Sequence, residues 1–249
     1  MVCQRQFVSK AALKDHTGGK MSLYAIGDTH LSFQTEKPMD VFGGRWENYI
    51  EKLKNGFSVL TDDDTCVICG DITWGMSLDD CLDDFRFINA VPGRKIILKG
   101  NHDYWWTTAS KAYKFFEANG ISTIDILHNN CYFFGSTAIC GTRGWFYEEE
   151  THGEHDRKIM LREVMRLETS LKAADGADEK LCFFHYPPRF GSYVCEEIID
   201  LMDKYGVKRC WYGHIHGPGH RIAVTGNVGG IEYNMVSADF VDFRPVKII

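Results

Sequence analysis

The 249-residue chain lacks any run of about 18 consecutive apolar residues, the length that a membrane-spanning helix requires. It also lacks an excess of positive charge, since its formal net charge is −6. A protein with this balance has no general attraction for nucleic acid, although a locally positive pocket can lie within an acidic total. The first twenty residues are polar and contain no apolar core of signal-peptide length. We therefore expect no membrane span, and nucleic acid is a disfavoured partner.

The nine cysteines do not form a regular framework. Cys66 and Cys69 make a C-x-x-C pair, which could indicate a redox site or half of a zinc site. The pair lies in a short apolar run that is typical of a buried strand, and no second C-x-x-C follows. We interpret both residues as buried thiols. Free buried thiols suit a reducing compartment, so we expect a cytoplasmic protein.

The composition, 44% hydrophobic and 25% charged, is that of a globular protein. The length suits one large α/β domain or at most two small ones. We find no internal repeat and no low-complexity linker. Met21 directly precedes the first strand pattern. We therefore expect a flexible N-terminal extension over residues 1–20 and a single domain over residues 21–249.

Short apolar runs alternate with longer amphipathic segments, which is the pattern of α/β proteins. The runs predict buried strands at residues 23–26, 65–69, 95–98, 181–184 and 209–212. Apolar residues at helical spacing predict helices at residues 46–60, 78–88, 107–118, 154–174 and 194–205. From Gly217 onward the sequence predicts short strands joined by glycine-rich turns.

Each of the five predicted strands is followed by polar side chains, usually beside a glycine. In chain order these blocks are Gly27-Asp28-Thr29-His30, Gly70-Asp71, Gly100-Asn101-His102-Asp103, His185-Tyr186-Pro187-Pro188 and Gly213-His214-Ile215-His216. In open α/β sheets, ligands bind beyond the carboxyl ends of the strands. We therefore expect these side chains to converge at one rim.

The donors in these blocks are imidazole nitrogens and hard oxygens, without a thiolate. Such a set suits divalent Mn, Fe or Zn. Two cations about 3.5–4 Å apart need a carboxylate that can bridge them, and Asp71 is the natural candidate. The glycines that precede Asp71, Asn101 and His214 allow sharp turns and leave room for the ligands.

In this order, the five blocks resemble those of the calcineurin-like metallophosphoesterase superfamily, in particular its small bacterial phosphohydrolases. The resemblance spans residues 28–216, which is most of the chain. It implies an α/β fold, a four-layer α/β/β/α sandwich with two central mixed β-sheets. It also implies two divalent metal ions, with one set of ligands in Asp28, His30 and His216, a second set in Asn101, His185 and His214, and Asp71 shared between them.

The resemblance further implies hydrolysis of a phosphomonoester or phosphodiester by a hydroxide that bridges the two metal ions, with a small phosphorylated molecule as the expected substrate. His102 follows a ligand, but the equivalent histidine of the family is not one. We expect His102 to protonate or stabilise the departing alkoxide. Asp103 either orients the His102 imidazole or supports the ligands from behind, and the sequence leaves both alternatives open.

Four further residues are candidates for contact with the substrate. Trp105 and Trp145 lie near the strand-end blocks, where packing in the core and stacking on a substrate are comparably favoured. Arg143 and Arg189 are candidates for phosphate binding, because a guanidinium group fits two phosphate oxygens at once.

The second block departs from the Gly-Asp-x-x-Asp-Arg-Gly motif of the protein Ser/Thr phosphatases. Here the stretch is Gly70-Asp71-Ile72-Thr73-Trp74-Gly75-Met76, without the second aspartate and the arginine. The usual carboxylate partner of His102 and the usual phosphate-binding arginine are therefore missing, which disfavours a phosphoprotein phosphatase.

Two alternatives to a small-molecule phosphoesterase are a nuclease, which would require a basic groove, and a non-catalytic scaffold, which would usually have lost site residues. The sequence does not indicate an oligomeric state.

Overall fold

The computed structural model describes residues 21–145 and 153–249, so the expected extension over residues 1–20 lies outside the described residues. The strands of the described residues are β1 Leu23–Ile26, β2 Thr65–Ile68, β3 Arg94–Ile97, β4 Ile124–Ile126, β5 Tyr132–Phe134, β6 Thr137–Thr142, β7 Glu179–Phe184, β8 Arg189–Phe190, β9 Tyr193–Val194, β10 Arg209–Tyr212, β11 Gly226–Val228, β12 Ile231–Met235 and β13 Val246–Lys247. The helices are α1 Tyr49–Phe57, α2 Leu82–Ala90, α3 Ala109–Ala118, α4 Glu154–Ala173 and α5 Glu196–Lys204.

The strands form two mixed sheets and one short hairpin. The first sheet has the order β13-β1-β2-β3-β4, in which β1 to β4 are parallel and β13 is an antiparallel edge. The second has the order β11-β12-β10-β7-β6-β5, with four parallel central strands between the antiparallel edges β11 and β5. Strands β8 and β9 pair with each other.

Side chains alternate between two apolar environments along the central strands. Ala25, Val67 and Ile96 belong to the core between the two sheets. Their neighbours Ile26 and Ile68 belong to the core beneath the helices. Successive residues of a strand point to opposite faces, so a strand that is covered on both faces is a continuous apolar run. The runs recognised in the sequence are therefore strands buried on both faces.

Helices cover the outer face of each sheet. Leu53 of α1, Phe85 of α2 and Phe116 of α3 pack on the first sheet. Leu167 of α4 and Met202 of α5 pack on the second. The layers are α/β/β/α around two mixed sheets, and the expected fold class is confirmed.

The elements differ from the predicted ones at the ends of helices and in several strands. The helix predicted from residue 46 begins at Tyr49, because Gly44–Trp46 forms a separate 3-10 turn and Asn48 adopts a left-handed backbone with φ of 56°. The sequence did not predict β4 in the first sheet, β5 and β6 in the second, or the hairpin strands β8 and β9.

The C-x-x-C pair lies on and just after β2, and both side chains are fully buried. Burial raises the pKa of the Cys66 thiol to about 12, so the thiol is protonated and poorly reactive at neutral pH. All eight cysteines in the described residues are free. The interpretation as buried thiols is confirmed. None of the helices in the described residues is both long and apolar enough to cross a membrane.

Gly141 of β6 offers a test of how closely the strands of the second sheet pack. A Cβ at this position would lie 2.1 Å from the carbonyl oxygen of Phe183 and 3.1 Å from Cδ2 of Leu127. We predict that Gly141→Ala lowers the free energy of unfolding by about 1–3 kcal/mol through overpacking, as measured by urea denaturation. The control is Gly153→Ala, because that Cβ would meet no heavy atom of the described residues within 4 Å and φ is −65°. Equal effects of the two substitutions would contradict this account.

Candidate metal centre

The carboxyl ends of β1, β2 and β3 meet those of β7 and β10 at the junction of the two sheets. Gly27, directly after β1, donates its N–H to the carbonyl oxygen of Val236 at 2.7 Å and forms a parallel bridge with Ser237. Gly213, directly after β10, donates to the carbonyl oxygen of His185 at 3.1 Å. The predicted rim exists, and it is built from two sheets rather than one.

Two clusters of potential metal ligands lie at this junction. In each cluster the ligand atoms lie within 4.8 Å of one another. The first comprises Asp28, His30 and His216, and the second Asp71, His185 and His214. Asn101 joins the second cluster, since its Oδ1 lies 2.6 Å from Nε2 of His185. The structure therefore brings together all seven residues that the sequence suggested as ligands.

One oxygen atom lies between the two clusters. Oδ2 of Asp71 is 3.8 Å from Nε2 of His30 and 3.5 Å from Nε2 of His185. The clusters also meet at Asp28, whose Oδ1 is 3.7 Å from Nδ1 of His185. Asp71 thus has the position that a bridging carboxylate requires.

Several of these residues have an unusual backbone conformation. Asp28, His30, Asp71 and His214 have φ values of 57°, 44°, 49° and 72°, and they are half of the eight non-glycine residues with positive φ in the described part of the chain. Each such residue costs about 1–2 kcal/mol. Strain of this kind persists where the surrounding structure enforces it, and it is often associated with functional sites. Here it turns the chain inward at the ends of three strands.

The glycines beside the ligands leave the space that the carboxylates occupy. A Cβ on Gly100 would lie 2.0 Å from Oδ1 of Asp71, and a Cβ on Gly213 would lie 2.4 Å from Oδ2 of Asp28. Gly70 itself has a φ of 82°. The predicted role of these glycines is confirmed by their close approach to the carboxylates.

The charge of the site is strongly unbalanced. Burial lowers the pKa of His185 and of His214 to about 3, so both imidazoles are neutral and keep a lone pair at neutral pH. Burial, followed by the charges of Asp103 and Asp28, raises the pKa of Asp71 well above its usual range. Among the described residues, the ion-pair partners of Asp28 and Asp71 are histidines, with no lysine or arginine. Buried carboxylates that face neutral imidazoles suit divalent cations.

Two of the imidazoles are held in orientation by a hydrogen bond at their other nitrogen. His185 donates from Nδ1 to the carbonyl oxygen of Cys69 at 3.0 Å, which directs Nε2 toward Asp71. His216 donates from Nδ1 to Oδ1 of Asp239 at 2.8 Å, and its Nε2 lies 3.5 Å from Asp28. Such contacts fix the ring and the tautomer of histidines that bind metals.

The family model for calcineurin-like phosphoesterases matches residues 21–218 of the sequence. The chain belongs to this family. A phosphopantetheinyl hydrolase from Mycobacterium tuberculosis has a similar structure, with a TM-score of 0.55 and 12% sequence identity over 92% of this chain and 96% of that chain. A protein of unknown function from Aquifex aeolicus is 20% identical over 92% of this chain and 96% of that one, with a TM-score of 0.48. No curated protein matches the sequence significantly.

Asp239 is a residue of the candidate metal centre that the sequence analysis missed. Besides His216, its carboxylate accepts a hydrogen bond from the N–H of Gly217 at 3.1 Å and lies 3.2 Å from Nε2 of His220. Burial opposes ionisation of Asp239, but its interactions with His216 lower its pKa overall. The same interactions, together with Asp28, raise the pKa of His216 to about 10 although burial acts the other way. The two carboxylates therefore favour positive charge at this ring, whether a proton or a metal cation.

Asp103 supports the ligand loops from behind. Its carboxylate accepts hydrogen bonds from the N–H groups of Gly100 at 2.8 Å, Asp71 at 3.0 Å and Ile72 at 2.9 Å. It also accepts a bond at 3.0 Å from Nε1 of Trp105, whose side chain is only 1% exposed. These contacts engage the Asp103 carboxylate with the ligand loops, which favours the alternative that it supports the ligands from behind. The ring of Trp105 is enclosed in the core beneath the helices, which favours packing over contact with a substrate.

His102 lies beside the two clusters without belonging to either. Its N–H donates to Oδ1 of Asp71 at 2.7 Å, and its ring lies 4.3 Å from that of Trp74. Nδ1 of His102 is 3.0 Å from the hydroxyl of Tyr104. Burial lowers the pKa of His102. Trp74 stands where the motif of the protein phosphatases has its second aspartate, and Tyr104 supplies the hydrogen bond that a carboxylate would otherwise make.

The remaining three candidates lie on the second-sheet side of the junction. Trp145 packs against Tyr186 at 5.5 Å, and the ring of Tyr186 in turn packs against His214 at 4.3 Å. Arg143 lies 4.9 Å above the ring of Trp145. Arg189 donates from Nε to the hydroxyl of Tyr233 at 3.2 Å. Contact of these residues with a substrate stays a prediction.

The contact between Asp239 and His216 generates a prediction about metal affinity. We expect Asp239→Asn to weaken metal binding by about 10- to 100-fold, because the imidazole loses the carboxylate that orients it and increases its basicity. Titration of the purified protein with Mn²⁺, followed by elemental analysis of the bound metal, measures this change. The control is Asp242→Asn, because Asp242 is 88% exposed and pairs with Arg45. Unchanged affinity in Asp239→Asn would show that the ring is held by other contacts.

Proposed function

We propose that this protein is a dinuclear metal-dependent phosphoesterase that hydrolyses a phosphomonoester or phosphodiester of a small molecule. The proposal depends most on the position of Asp71, whose Oδ2 lies within 4 Å of imidazole nitrogens from both clusters. When bound, a pair of divalent cations would generate a nucleophile from water and stabilise the charge that develops on the phosphoryl oxygens.

The residues present fit such a pair of cations. Asp28, His30 and His216 would hold one ion, and Asn101, His185 and His214 the other, with Asp71 shared. Nitrogen and oxygen donors without a thiolate suit Mn, Fe or Zn. Cys69, the nearest cysteine in the sequence to this set, contributes its carbonyl oxygen to His185 rather than its sulfur to the site.

In the proposed reaction, His102 assists the departure of the alcohol. Its backbone is tied to Asp71, and the ring of Trp74 limits its movement on one side. Because Tyr104 engages Nδ1, the nitrogen left to donate a proton to the leaving oxygen is Nε2. A neutral phenol as partner stabilises a protonated imidazole less than a carboxylate does, so His102 gives up its proton more readily.

Other features favour this function over the two alternatives. A scaffold needs no strained ligand loops, whereas four of the seven candidate ligands adopt left-handed backbone conformations here. A nuclease would bind its substrate through a basic groove, whereas the chain has a net charge of −6. The phosphopantetheinyl hydrolase shares the fold with this chain, and at 12% identity that similarity does not extend to its substrate.

The proposed activity has a direct test. We predict hydrolysis of p-nitrophenyl phosphate and of bis-p-nitrophenyl phosphate that is abolished by EDTA and restored by Mn²⁺, Fe²⁺ or Zn²⁺, with no cleavage of DNA under the same conditions. Release of p-nitrophenol is followed by absorbance. The absence of turnover with every divalent metal would favour the scaffold, and metal-dependent DNA cleavage would favour the nuclease.

Two substitutions separate metal binding from proton transfer. We predict that Asp71→Asn reduces both the metal content and kcat, because the shared carboxylate loses its charge. His102→Ala should keep nearly the full metal content while kcat falls by about 10²- to 10⁴-fold, the usual contribution of a general acid. Elemental analysis and kinetics on the same samples measure both quantities. Loss of metal from His102→Ala would mean that His102 is a ligand and not the acid.

A further inference from the structure

A cavity of about 310 Å³ lies between α4, the loops that follow β3 and β4, and the end of β6. Its polar lining includes Lys99, His128, Arg143, Arg162, Glu163 and Arg166. Trp106 contributes an aromatic wall. This volume is at the lower end of the range that is typical of small-molecule sites.

The charge of this cavity is opposite to that of the whole protein. Its lining contains four cationic side chains and one carboxylate, whereas the chain carries a formal net charge of −6. Burial, followed by the charge of Arg166, lowers the pKa of His128, so that this histidine adds a neutral hydrogen-bonding group at neutral pH. Clustered cations repel one another unless an anion lies between them. The cavity is therefore suited to an anionic group.

The buried carboxylate of Glu163 holds the arginines in place. Glu163 is 1% exposed and accepts hydrogen bonds from the Thr142 hydroxyl, from Nη2 of Arg143 at 3.3 Å and from Nη1 of Arg166. Two guanidinium groups are thus fixed side by side by one carboxylate.

The cavity adjoins the candidate metal centre through the backbone. The carbonyl oxygen of Arg143 accepts the N–H groups of His185 at 3.1 Å and Tyr186 at 2.8 Å. Lys99 precedes Asn101 by two residues on the loop after β3. Lys99 is thus on the same loop as the candidate ligand Asn101, and the backbone of Arg143 is hydrogen-bonded to the segment that carries His185. The cavity therefore lies beside the segments that carry two of the candidate ligands.

We propose that this cavity binds a second phosphate group of the substrate, so that the protein acts on a small molecule with two phosphate groups, of which one is hydrolysed at the metal centre. The inference rests on the proposed function for the reaction itself. A phosphate group offers several oxygens to the forked donors of Arg143 and Arg166 and to the point charge of Lys99. Trp106 packs against the part of the substrate that connects the two phosphates.

A matched series of substrates tests the inference in the metal-loaded enzyme. Alkanediol bisphosphates with two to eight carbons are compared with alkyl monophosphates of the same length. A bisphosphate presents two equivalent esters, which alone can lower KM twofold. Beyond that effect, we expect KM to be at least tenfold lower for the bisphosphate than for the monophosphate at the chain lengths that span the two sites. Equal KM values at every length would overturn the inference.

Substitutions of the cavity-lining residues test whether the difference in KM arises in this cavity. Lys99→Met and Arg166→Gln should each bring the ratio of the two KM values close to one. The control is Arg157→Gln, because Arg157 is exposed on the same helix as Arg166 and is not part of the cavity lining, so the ratio should stay as in the unmodified protein. A ratio that persists in both lining variants would place the second phosphate elsewhere and reject the cavity.

A binding measurement separates this inference from the proposed reaction. Calorimetric titration of the metal-loaded protein with inorganic phosphate should show two phosphates per chain, and only one in Lys99→Met. The Asp71→Asn variant should still bind phosphate in the cavity, even if the protein proves not to hydrolyse esters. A single phosphate per chain in the unmodified protein that persists in Lys99→Met would contradict the inference, whatever the outcome for hydrolysis.

Discussion

The burial of two carboxylates at the junction of the sheets is the constraint on which the rest of the site depends. Asp28 and Asp71 are both almost fully buried, and removing an ionised carboxylate from water costs several kcal/mol unless charge and hydrogen bonds replace the solvent. The N–H of His214 donates to both oxygens of Asp28 at 3.0 Å, and that of His102 donates to Asp71. These hydrogen bonds replace part of the solvation that the two carboxylates lose on burial. Imidazoles rather than lysine or arginine side chains are the ion-pair partners of the two carboxylates among the described residues, an arrangement that suits divalent cations.

The same constraint accounts for the backbone around the site. To bring its carboxylate into the junction, the chain must turn directly after a strand, and at Asp28 and Asp71 it does so with a positive φ. Gly100 and Gly213 must then lack a side chain, because a Cβ there would occupy the space of a carboxylate oxygen. Asp103 offsets some of the cost, since its carboxylate joins the loops after β2 and β3 through three backbone N–H groups. Strained turns of this kind are concentrated at functional sites.

Much of this arrangement was predictable because its signals are local. A strand that is buried on both faces is a run of apolar residues, and the block that follows each run contains the ligands themselves. The family resemblance then supplied the layers, which the structure confirms, and a grouping of ligands that agrees with the two clusters found at the junction. The strand β6 carried a weaker signal, because its sequence Thr137-Ala138-Ile139-Cys140-Gly141-Thr142 mixes threonines and a glycine with only a few large apolar residues. Its place in the sheet depends on β7, whose carbonyl groups approach Gly141 closely.

Other features depend on contacts in the folded structure that the local sequence pattern does not predict. Asp239 follows β12, and His216 follows β10. The parallel pairing of these two strands brings the two side chains together. For both Trp105 and Trp145, the sequence favoured packing in the core and contact with a substrate to a comparable degree. The structure buries the first under the helices and leaves the second partly exposed beside Tyr186. Tyr104 reaches His102 because the chain folds back, with the Tyr104 N–H donating to the carbonyl oxygen of His102 at 2.8 Å.

The missing arginine of the second block has a physical counterpart on the other sheet. In the motif of the protein phosphatases, the phosphate-binding arginine directly follows the second aspartate and would lie on the loop after β2. Here Trp74 and Gly75 occupy that stretch, and the ring of Trp74 packs on His30 and His102 instead. Arg143, at the end of β6, and Arg166, on α4, present positive charge from the second-sheet side. A cation on the β2 loop would act on the phosphate at the metal centre, whereas these two are held by Glu163 in a separate cavity. Under the proposal of a second phosphate site, these cations recognise the group that anchors the substrate rather than the group that reacts.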